Sequence, residues 1–521
     1  MPTRRSALGG LTALGGLMLA GGVRAASAAP RVRTRHGEVI GFREDQISVF
    51  RGVRYGADTG PLRFRPPRTP DAWREPLEAM TFGPACPQGG DEPDQSEDCL
   101  FLNVWTPGAD EARRPVMVYI HGGAYSTGSG AHPLYDGARL ARRGDVVVVT
   151  LNHRLNAFGY ASLARLAPGF EASGNVGQLD LVLALEWVRD NIAAFGGDPS
   201  RVMVFGQSGG GAKIATLMAT PAAQGLFHAA ATMSGQQVTA SGPINAERRA
   251  RAWLEAMEIT PERAAEAASL PVERLLDAAR TQDPILGYGG LYFGPVLDDH
   301  VLHRHPFYPD APAQSAAVPM IIGNTREETL AFMGSDPRNA GLTWDALPGR
   351  MTPDVMRIDI APQTVIAEYR RLHPEWSPDQ VLIRATTAGR SWRAAVIEAE
   401  QRAAQGAPAW VYQLDFPGEL ANGRRGAFHT ADIALVFDNV ESPSSRVRGP
   451  GAAEVSHRMA DAFIAMARSG DPNHAGLPSW TPYGLERRET MVFDVDSRLE
   501  NDPRGDERRL FARVPYVQPG T

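Results

Sequence analysis

The sequence predicts an α/β protein organised around a mostly parallel β-sheet. Residues 115–120 and 145–151 are largely apolar runs, which is typical of strands buried on both faces of a parallel sheet. Residues 179–195 have the apolar periodicity of a helix. Residues 201–219 join a short apolar run to a helix-forming run through a turn rich in glycine. Strands that alternate with helices in this way favour a parallel sheet.

The remaining elements follow from similar patterns along the chain. Residues 32–55 alternate strand-like segments with glycine, which predicts an N-terminal β-meander. Two helix-rich segments with capping prolines, near 244–290 and 340–405, predict large helical insertions that flank a pocket. Further predicted elements are strands at 97–105, 318–323 and 409–416, a strand-like segment at 296–306, and a terminal amphipathic helix at 452–468.

Length and composition favour one large globular domain, residues 29–521. The chain has 521 residues, of which 43% are hydrophobic and 21% charged, and it can bury a substantial core. Its formal net charge is −6, which does not favour nucleic-acid binding. We expect a small molecule as its partner, and the oligomeric state stays open.

The first 28 residues differ in character from the rest. Arg4 and Arg5 precede an uncharged, weakly apolar run at 6–22, and Ala26-Ser-Ala28 follows it. This order is typical of a cleavable export signal, and the paired arginines resemble a twin-arginine signal. The run is shorter than the ~20 apolar residues that span a bilayer, and no later run is long enough. We therefore expect a periplasmic or secreted protein, exported by the twin-arginine route, with no membrane span in the mature chain.

The sequence contains two cysteines, Cys86 and Cys99, both in the part expected to be exported. Disulfides persist in oxidising compartments, and these residues are close in sequence. We therefore predict one disulfide that closes a small loop. A protein exported already folded would form this bond after crossing the membrane.

Ser208 lies at the centre of the turn Gly206-Gln-Ser-Gly-Gly210, which matches G-x-S-x-G. In that pattern a serine sits on a sharp bend between strand and helix and exposes its hydroxyl above a parallel sheet. Glycine suits such a bend because it tolerates unusual backbone angles. The helix that follows points its first amides towards the serine and favours developing negative charge there. Ser208 is therefore the candidate nucleophile.

A nucleophilic serine needs a base, and the base needs a carboxylate to orient it. With this kind of turn the chain order is serine, acid, histidine. His429 follows a strong strand by a loop, which is where such sheets place their sites, so it is the candidate base. Glu327 and Glu328 both follow the strand near 318–322, and spacing does not choose between them. The loop at 121–125, His-Gly-Gly-Ala-Tyr, offers backbone amides for an oxyanion.

Several motifs, found in order, are together similar to the type-B carboxylesterase family, which includes the cholinesterases. They are Glu97-Asp-Cys-Leu-Phe-Leu-Asn103, the His121-Gly-Gly loop, Asn191-Ile-Ala-Ala-Phe-Gly-Gly-Asp-Pro199 and the turn around Ser208. The resemblance implies the α/β-hydrolase fold and a serine hydrolase that cleaves carboxylic esters through an acyl-enzyme, with no cofactor. Amides, carbamates or large polyesters are alternative substrates for the same triad. A non-catalytic binding or adhesion protein is disfavoured because the triad residues are all present.

The resemblance also assigns individual residues. It implies Glu328 as the acid, a first disulfide between Cys86 and Cys99, oxyanion donors at Gly123, Ala124 and Gly209, and ion pairs Arg154–Asp180 and Arg63–Glu97. Thr329, Ala124 and Gly209 depart from the usual family residues. The loop at 87–98 lacks the tryptophan that holds choline in cholinesterases, so we do not expect choline esters as substrates. No metal site is expected at His300, His303 and His305.

Overall fold

The computed structural model describes residues 28–518 and 520–521. Apart from Ala28, the predicted export signal lies outside these residues. The strands in the described part are β1 (Arg31–Arg33), β2 (Glu38–Ile40), β3 (Phe42–Glu44), β4 (Ile47–Arg54), β5 (Leu77–Glu78), β6 (Phe101–Thr106), β7 (Arg114–Ile120), β8 (Val147–Leu151), β9 (Gly197–Gln207), β10 (Ala229–Met233), β11 (Met320–Thr325), β12 (Ala409–Leu414), β13 (Gly418–Glu419), β14 (Arg425–Gly426), β15 (Glu489–Phe493) and β16 (Arg498–Asn501).

The α-helices in the same residues connect these strands and cover both faces of the sheet. They are α1 (Ala138–Gly144), α2 (Asn156–Tyr160), α3 (Val176–Asn191), α4 (Gly209–Ala219), α5 (Pro243–Ala256), α6 (Val272–Ala278), α7 (Leu330–Met333), α8 (Leu347–Arg350), α9 (Pro353–Met356), α10 (Pro362–Leu372), α11 (Pro378–Thr387), α12 (Arg393–Ala404), α13 (Ala431–Val436), α14 (Ala452–Ser469) and α15 (Gly505–Phe511).

The central sheet is mostly parallel, as the sequence predicts. Among the described residues it has eleven strands in the order β16-β15-β12-β11-β10-β9-β7-β8-β6-β4-β3. Every neighbouring pair from β15 across to β8 is parallel, and the flanking pairs on both sides are antiparallel. The predicted meander divides between two sheets. Strands β3 and β4 form one edge of the central sheet, while β1, β2 and β5 form a separate small sheet in that order.

The core lies on both faces of the parallel strands. Strand β8 reads Val-Val-Val-Thr-Leu and is buried at every position. Val147 and Val149 pack into one apolar cluster and Val148 into the other, because successive side chains of a strand point to opposite faces. This double burial explains the nearly continuous apolar runs in the sequence.

Two expectations about connecting segments are wrong. Residues 296–306 form no strand; instead the Asp298 carboxylate accepts backbone N–H bonds from Val301 and Leu302 and bends the chain. Helix α14 is not the terminal element, because β15, β16 and α15 follow it. Strand β15 supplies the last parallel strand, and its antiparallel partner β16 forms that edge of the sheet.

The second helical insertion contains one long helical segment with a change of pitch. Helix α11 begins with Pro378 in its first turn and a capping box between Ser377 and Gln380. A π-helical turn, Ala388–Trp392, joins α11 directly to α12. No helix among the described residues is both long and apolar enough to cross a membrane.

Candidate active site

Ser208 occupies the bend between β9 and α4. Its backbone has φ 56° and ψ −127°, a conformation that a residue with a side chain rarely adopts. Its N–H donates to the Met233 carbonyl at 2.7 Å, which ties the bend to the end of β10. The half-buried side chain of Ser208 therefore stands above the carboxyl end of the sheet, where the sequence predicts it.

The glycines of the turn are required by close backbone contacts. A Cβ on Gly210 would lie 1.9 Å from the Ile120 carbonyl oxygen, and one on Gly206 would lie 2.7 Å from the same atom. Both distances are too short for carbon against oxygen. The G-x-S-x-G pattern thus reflects the packing of α4 onto the end of β7.

His429 and Glu328 form a buried pair beside Ser208. Nδ1 of His429 lies 2.6 Å from Oε2 of Glu328, whose Oε1 accepts the Thr325 N–H at 2.7 Å. Burial alone would raise the pKa of Glu328, but the contacts with His429 and these donors outweigh burial and hold its pKa below the usual value. Glu328 is therefore a carboxylate at neutral pH.

The structure distinguishes the two adjacent glutamates. Glu327 forms a β-bridge with Phe428, and its side chain accepts the Ala427 N–H at 3.0 Å. The Glu328 side chain points to the opposite side of this short pairing and reaches His429. The loop after β11 and the loop that carries His429 are thus held together by backbone bonds, which fixes the spacing of the pair.

Ser208 and His429 line the same cavity. Within the described residues, the Ser208 hydroxyl makes no hydrogen bond to His429; the Gln207 side-chain amide nitrogen lies 3.2 Å from Nε2 instead. Hydrogen bonds of this kind are often long in unliganded sites and shorten when substrate binds. The structure therefore brings the candidate base His429 into the same cavity as the candidate nucleophile without a hydrogen bond between them.

The loop after β7 approaches the start of α4. Gly123 has φ 88° and Ala124 has φ 53°, so the loop coils tightly over Ser208. Ala124 and Gly209 line the cavity, and Gly123 precedes Ala124 directly. In the part of the chain that the structure describes, the backbone N–H groups of these three residues donate to no protein acceptor, so they are available to an oxyanion.

The cavity at Ser208 has a volume of about 210 Å³ and a mixed lining. Phe332 packs against His429, with ring centres 5.1 Å apart. Polar groups come from Ser234, Gln236 and Arg390, and Tyr516 reaches the cavity from near the end of the chain. Phe332 lines this cavity, whereas Trp392 lines a different pocket. The sequence carries no local signal for these positions, because each comes from a different connection.

Lys213 is a functional candidate that the motif analysis missed. It is the only lysine in the sequence, and it is fully buried on α4, five residues after Ser208. Its ammonium donates to the His121 carbonyl at 3.2 Å, at the base of the loop that carries Gly123. Burial lowers the pKa of Lys213 to about 7. Its uniqueness in an arginine-rich chain is the signal that could have found it.

A second buried carboxyl group, that of Asp432, lies near Glu328 and His429. Asp432 is fully buried on α13 and accepts the Tyr412 hydroxyl at 2.8 Å. Burial and then the charge of Glu328 raise the pKa of Asp432 to about 7. Asp432 therefore holds a proton over much of the range in which Glu328 is ionised.

The cysteines and ion pairs expected from the resemblance lie close together. Cys86 and Cys99 are buried free thiols in this structure, and the neighbouring Cys86 thiol, with burial, raises the pKa of Cys99. Arg154 contacts Asp180 at 2.6 Å, and Arg63 contacts Glu97 through Nε at 2.7 Å, so both predicted ion pairs are confirmed. Within residues 28–518 and 520–521, no three metal-binding side chains are grouped so that they could hold an ion.

Thr329 stands where the family usually has glycine. Its hydroxyl donates to the Ile383 carbonyl at 2.8 Å and lies 2.7 Å from the Thr386 hydroxyl. Both partners are on α11. The substitution therefore fastens the loop of Glu328 to the helical insertion.

Comparison with known proteins places these features in one family of sequences. A model described as the carboxylesterase family matches residues 28–510. The para-nitrobenzyl esterase of Bacillus subtilis is 35% identical over 498 residues, which cover 92% of this chain and 98% of that protein. A solved carboxylesterase from Geobacillus stearothermophilus has a TM-score of 0.82 at 36% identity, with 92% of this chain and 99% of the other covered. A solved esterase from Clostridium hathewayi, described as able to hydrolyse aliphatic aromatic polyesters, has a TM-score of 0.78 at 31% identity, with 94% and 99% covered.

Proposed function

Because the chain belongs to the carboxylesterase family, we propose that it hydrolyses carboxylic esters with Ser208 as nucleophile, His429 as base and Glu328 as the acid that orients His429. As a member of this family, the chain is a carboxylic ester hydrolase with the α/β-hydrolase fold, as the sequence analysis predicted. The observation that carries the triad is the 2.6 Å contact between His429 and Glu328 in the cavity that also contains Ser208.

In the first half of the reaction, the Ser208 hydroxyl attacks the ester carbonyl and its proton passes to Nε2 of His429. The contact to Glu328 supports this role, because a proton on Nδ1 that is donated to the carboxylate leaves Nε2 free to accept. The carbonyl oxygen becomes an oxyanion and is stabilised by the amides of Gly123, Ala124 and Gly209. His429 then returns the proton to the departing alcohol, and the acyl group stays on Ser208.

In the second half, a water molecule attacks the acyl-enzyme. His429 accepts a proton from this water, and the same three amides stabilise the second oxyanion. The bond to Ser208 breaks, His429 protonates the serine oxygen, and the carboxylic acid leaves. The ionised state of Glu328 supports both halves, since it stabilises the imidazolium that forms in each.

Initial rates on p-nitrophenyl esters from acetyl to palmitoyl test the proposal. We expect Ser208→Ala and His429→Ala to lower kcat by up to about a millionfold, as when a triad acts as a unit. The acyl length of the best substrate would measure the depth of the acyl pocket. Equal rates for wild type and Ser208→Ala would rule out Ser208 as the nucleophile.

Larger esters are a second class of substrate that the same triad would accept. The similarity to the Clostridium hathewayi esterase supports polyesters as candidates. A cavity of about 630 Å³ that shares Gln518 with the site cavity offers room for a longer chain. Release of soluble acids from an aliphatic aromatic polyester film, absent in Ser208→Ala, would support this activity.

We further propose that the chain is exported and that Cys86 and Cys99 form a disulfide. The paired arginines and following run in residues 1–28 support export by the twin-arginine route. The proximity of the two buried thiols supports the disulfide. Fractionation of cells that express the whole chain tests export, with Arg4→Lys/Arg5→Lys as the matched variant, which we expect to retain the protein in the cytoplasm.

A further inference from the structure

Arg390 lies in the wall of the catalytic cavity, on the π-helical turn between α11 and α12. Its guanidinium carbon is 5.6 Å from the centre of the Phe332 ring, and that ring is 5.1 Å from the His429 ring. The guanidinium is therefore no farther from the imidazole than the sum of these two spacings. Arg390 and His429 line the same cavity, so a substrate bound there can contact both.

The backbone around Arg390 is packed too closely to allow large movement. A Cβ on the preceding residue, Gly389, would lie 2.2 Å from the Met356 carbonyl oxygen at the end of α9. The π-helical turn thus rests directly on α9. Such turns interrupt regular helices and are frequently found at functional sites.

Arg390 has no anionic partner in the described part of the chain. Its one hydrogen bond to protein runs from Nη1 to the Asp354 carbonyl, at 3.4 Å. The Asp354 carboxylate accepts the Thr352 hydroxyl instead, and Glu328 in the same cavity is bound to His429. Most of the five guanidinium donors are therefore free of protein acceptors.

The surroundings make the positive charge of Arg390 unfavourable when it has no anionic partner. Burial, and then repulsion from Arg357, lower the pKa of Arg390 to about 10, so the group is still charged at neutral pH. Arg357 stacks on Tyr288, donates to the Asp354 carbonyl at 2.9 Å, and forms no salt bridge among the described residues. Both side chains are partly buried, and a guanidinium that has lost part of its hydration gains from an anionic partner. Arg390 lines the catalytic cavity and Arg357 lines the neighbouring one, and both donate to the Asp354 carbonyl. Two neighbouring guanidinium groups without a carboxylate partner among the described residues fit an anionic ligand.

We propose that Arg390, assisted by Arg357, forms a subsite for a carboxylate carried by the substrate, so that the preferred esters are half-esters of dicarboxylic acids or esters of hydroxy acids. This inference rests on the proposed function, because it concerns the site of Ser208. Guanidinium binds carboxylate through two parallel N–H bonds, and such charge-assisted pairs are stronger in a partly desolvated cavity. The subsite is a specificity determinant and takes no part in bond breaking.

A purely structural role is the main alternative. Arg390 would then serve to bind the Asp354 carbonyl and to cover Phe332. One bond of 3.4 Å is weak by the usual geometry of N–H donors, and it uses one donor of five. A structural role predicts equal damage to charged and neutral substrates, which an experiment can separate.

The test compares matched esters that differ by one charge. On the acyl side, p-nitrophenyl hydrogen adipate is compared with p-nitrophenyl heptanoate, in which an ethyl group replaces the carboxylate. On the alcohol side, para-acetoxybenzoate is compared with para-ethylphenyl acetate. The ratio of kcat/KM for charged over neutral ester is measured in wild type, Arg390→Gln, Arg390→Lys and Arg357→Gln, after subtraction of the rate of Ser208→Ala.

We expect Arg390→Gln to lower this ratio at least about tenfold in one of the two pairs, since a charged hydrogen bond of this kind contributes that much or more. Arg390→Lys should keep part of the wild-type preference for the charged ester. Arg357→Gln should lower the charged-to-neutral ratio less than Arg390→Gln does. The matched control is Arg393→Gln, which removes a positive charge from the same helical segment but not from the cavity lining. It should leave the ratio unchanged.

Two results would overturn the inference. One is an equal charged-to-neutral ratio in wild type and Arg390→Gln for both pairs of esters. If Arg390→Gln does not fold, the other is a wild-type ratio that does not fall as KCl is raised, since salt screens a carboxylate contact. Failure of wild type to cleave any neutral ester faster than Ser208→Ala would refute the proposed function itself, which is a separate outcome.

Discussion

The backbone of Ala124 lies directly against Gly209. A Cβ on Gly209 would be 2.1 Å from the Ala124 carbonyl oxygen and 2.5 Å from its Cα. Ala124 itself has φ 53°, which brings its carbonyl into this position. The family commonly has alanine after the nucleophile, and in this chain glycine stands there while Ala124 replaces a glycine of the loop. The two departures therefore occur at one contact, between the proposed oxyanion donors.

Gly209→Ala is expected to lower kcat by about tenfold or more, with less effect on KM. The new methyl group would overlap the backbone of Ala124, so the loop that carries Ala124 has to shift away from Ser208. The Ala124 amide, a proposed oxyanion donor, moves with it. Steady-state kinetics on p-nitrophenyl butyrate measures the effect. Gly349→Ala is the control, because a Cβ there meets no atom within 4 Å. An unimpaired Gly209→Ala enzyme would mean that these amides do not act as oxyanion donors.

Glu328→Gln should reduce kcat by about 10⁴-fold, because a neutral amide neither fixes the tautomer of His429 nor supports its positive charge. Burial and shape are nearly unchanged, so the protein should still fold. Glu327→Gln is the adjacent control, and its kcat should fall by less than about tenfold, since Glu327 contacts the Ala427 backbone and not His429. A larger loss in Glu327→Gln than in Glu328→Gln would reverse the assignment.

Replacement of Lys213, the single lysine, is expected to affect catalysis by shifting the loop at 121–125. Lys213→Met keeps the aliphatic volume but removes the donor to the His121 carbonyl. We expect kcat to fall about tenfold at pH 8, with little change in KM, since substrate contacts stay in place. Lys213→Arg should be impaired more, because a guanidinium is too large for this fully buried position. Unchanged kcat in Lys213→Met would show that the loop holds its form without the side-chain donor of Lys213.

Asp432 makes stability depend on pH. Its pKa is raised to about 7 in the folded protein, against 3.8 for the ordinary group, so the native state binds more protons than the unfolded state between those values. Stability from this group is full below pH 4 and is lost as pH rises through about 7. Asp432→Asn lacks this dependence. We therefore expect Tm of Asp432→Asn minus Tm of wild type to increase from pH 5 to pH 8, as measured by calorimetry. A constant or decreasing difference would contradict the assignment.

Oxidation of Cys86 and Cys99 is testable on protein recovered from the exported fraction. When the exported protein is unfolded in denaturant without reductant, it should contain no free thiol. The same protein after reduction should contain two reactive thiols. The loop is short, and its disulfide should add about 3 kcal/mol to the free energy of unfolding. The double variant Cys86→Ser/Cys99→Ser should lose that amount. Two titratable thiols in the exported protein would show that the pair stays reduced.

The sequence was sufficient for most of the parallel sheet and for the order of the site residues. Strands β7, β8 and β11 are buried on both faces, so their apolar runs are visible without any knowledge of neighbours. The positions of Ser208 and His429 in one cavity above the sheet were predictable, because each follows such a strand at its carboxyl end. The prediction was wrong for the 296–306 segment, whose apolar residues come in two adjacent pairs, because the Asp298 carboxylate accepts backbone N–H bonds and bends the chain.

Local sequence determined which elements form and which serine stands at a strained bend. Spacing left Glu327 and Glu328 open and the resemblance implied Glu328, but only the tertiary structure shows that the Glu328 side chain contacts His429 while Glu327 contacts the Ala427 backbone, because two loops far apart in sequence pair there. It alone placed Arg390 in the cavity wall and Ala124 against Gly209. The reason is physical: strand and helix formation depend on the nearest residues, whereas the direction of a loop side chain depends on which distant backbone packs against it.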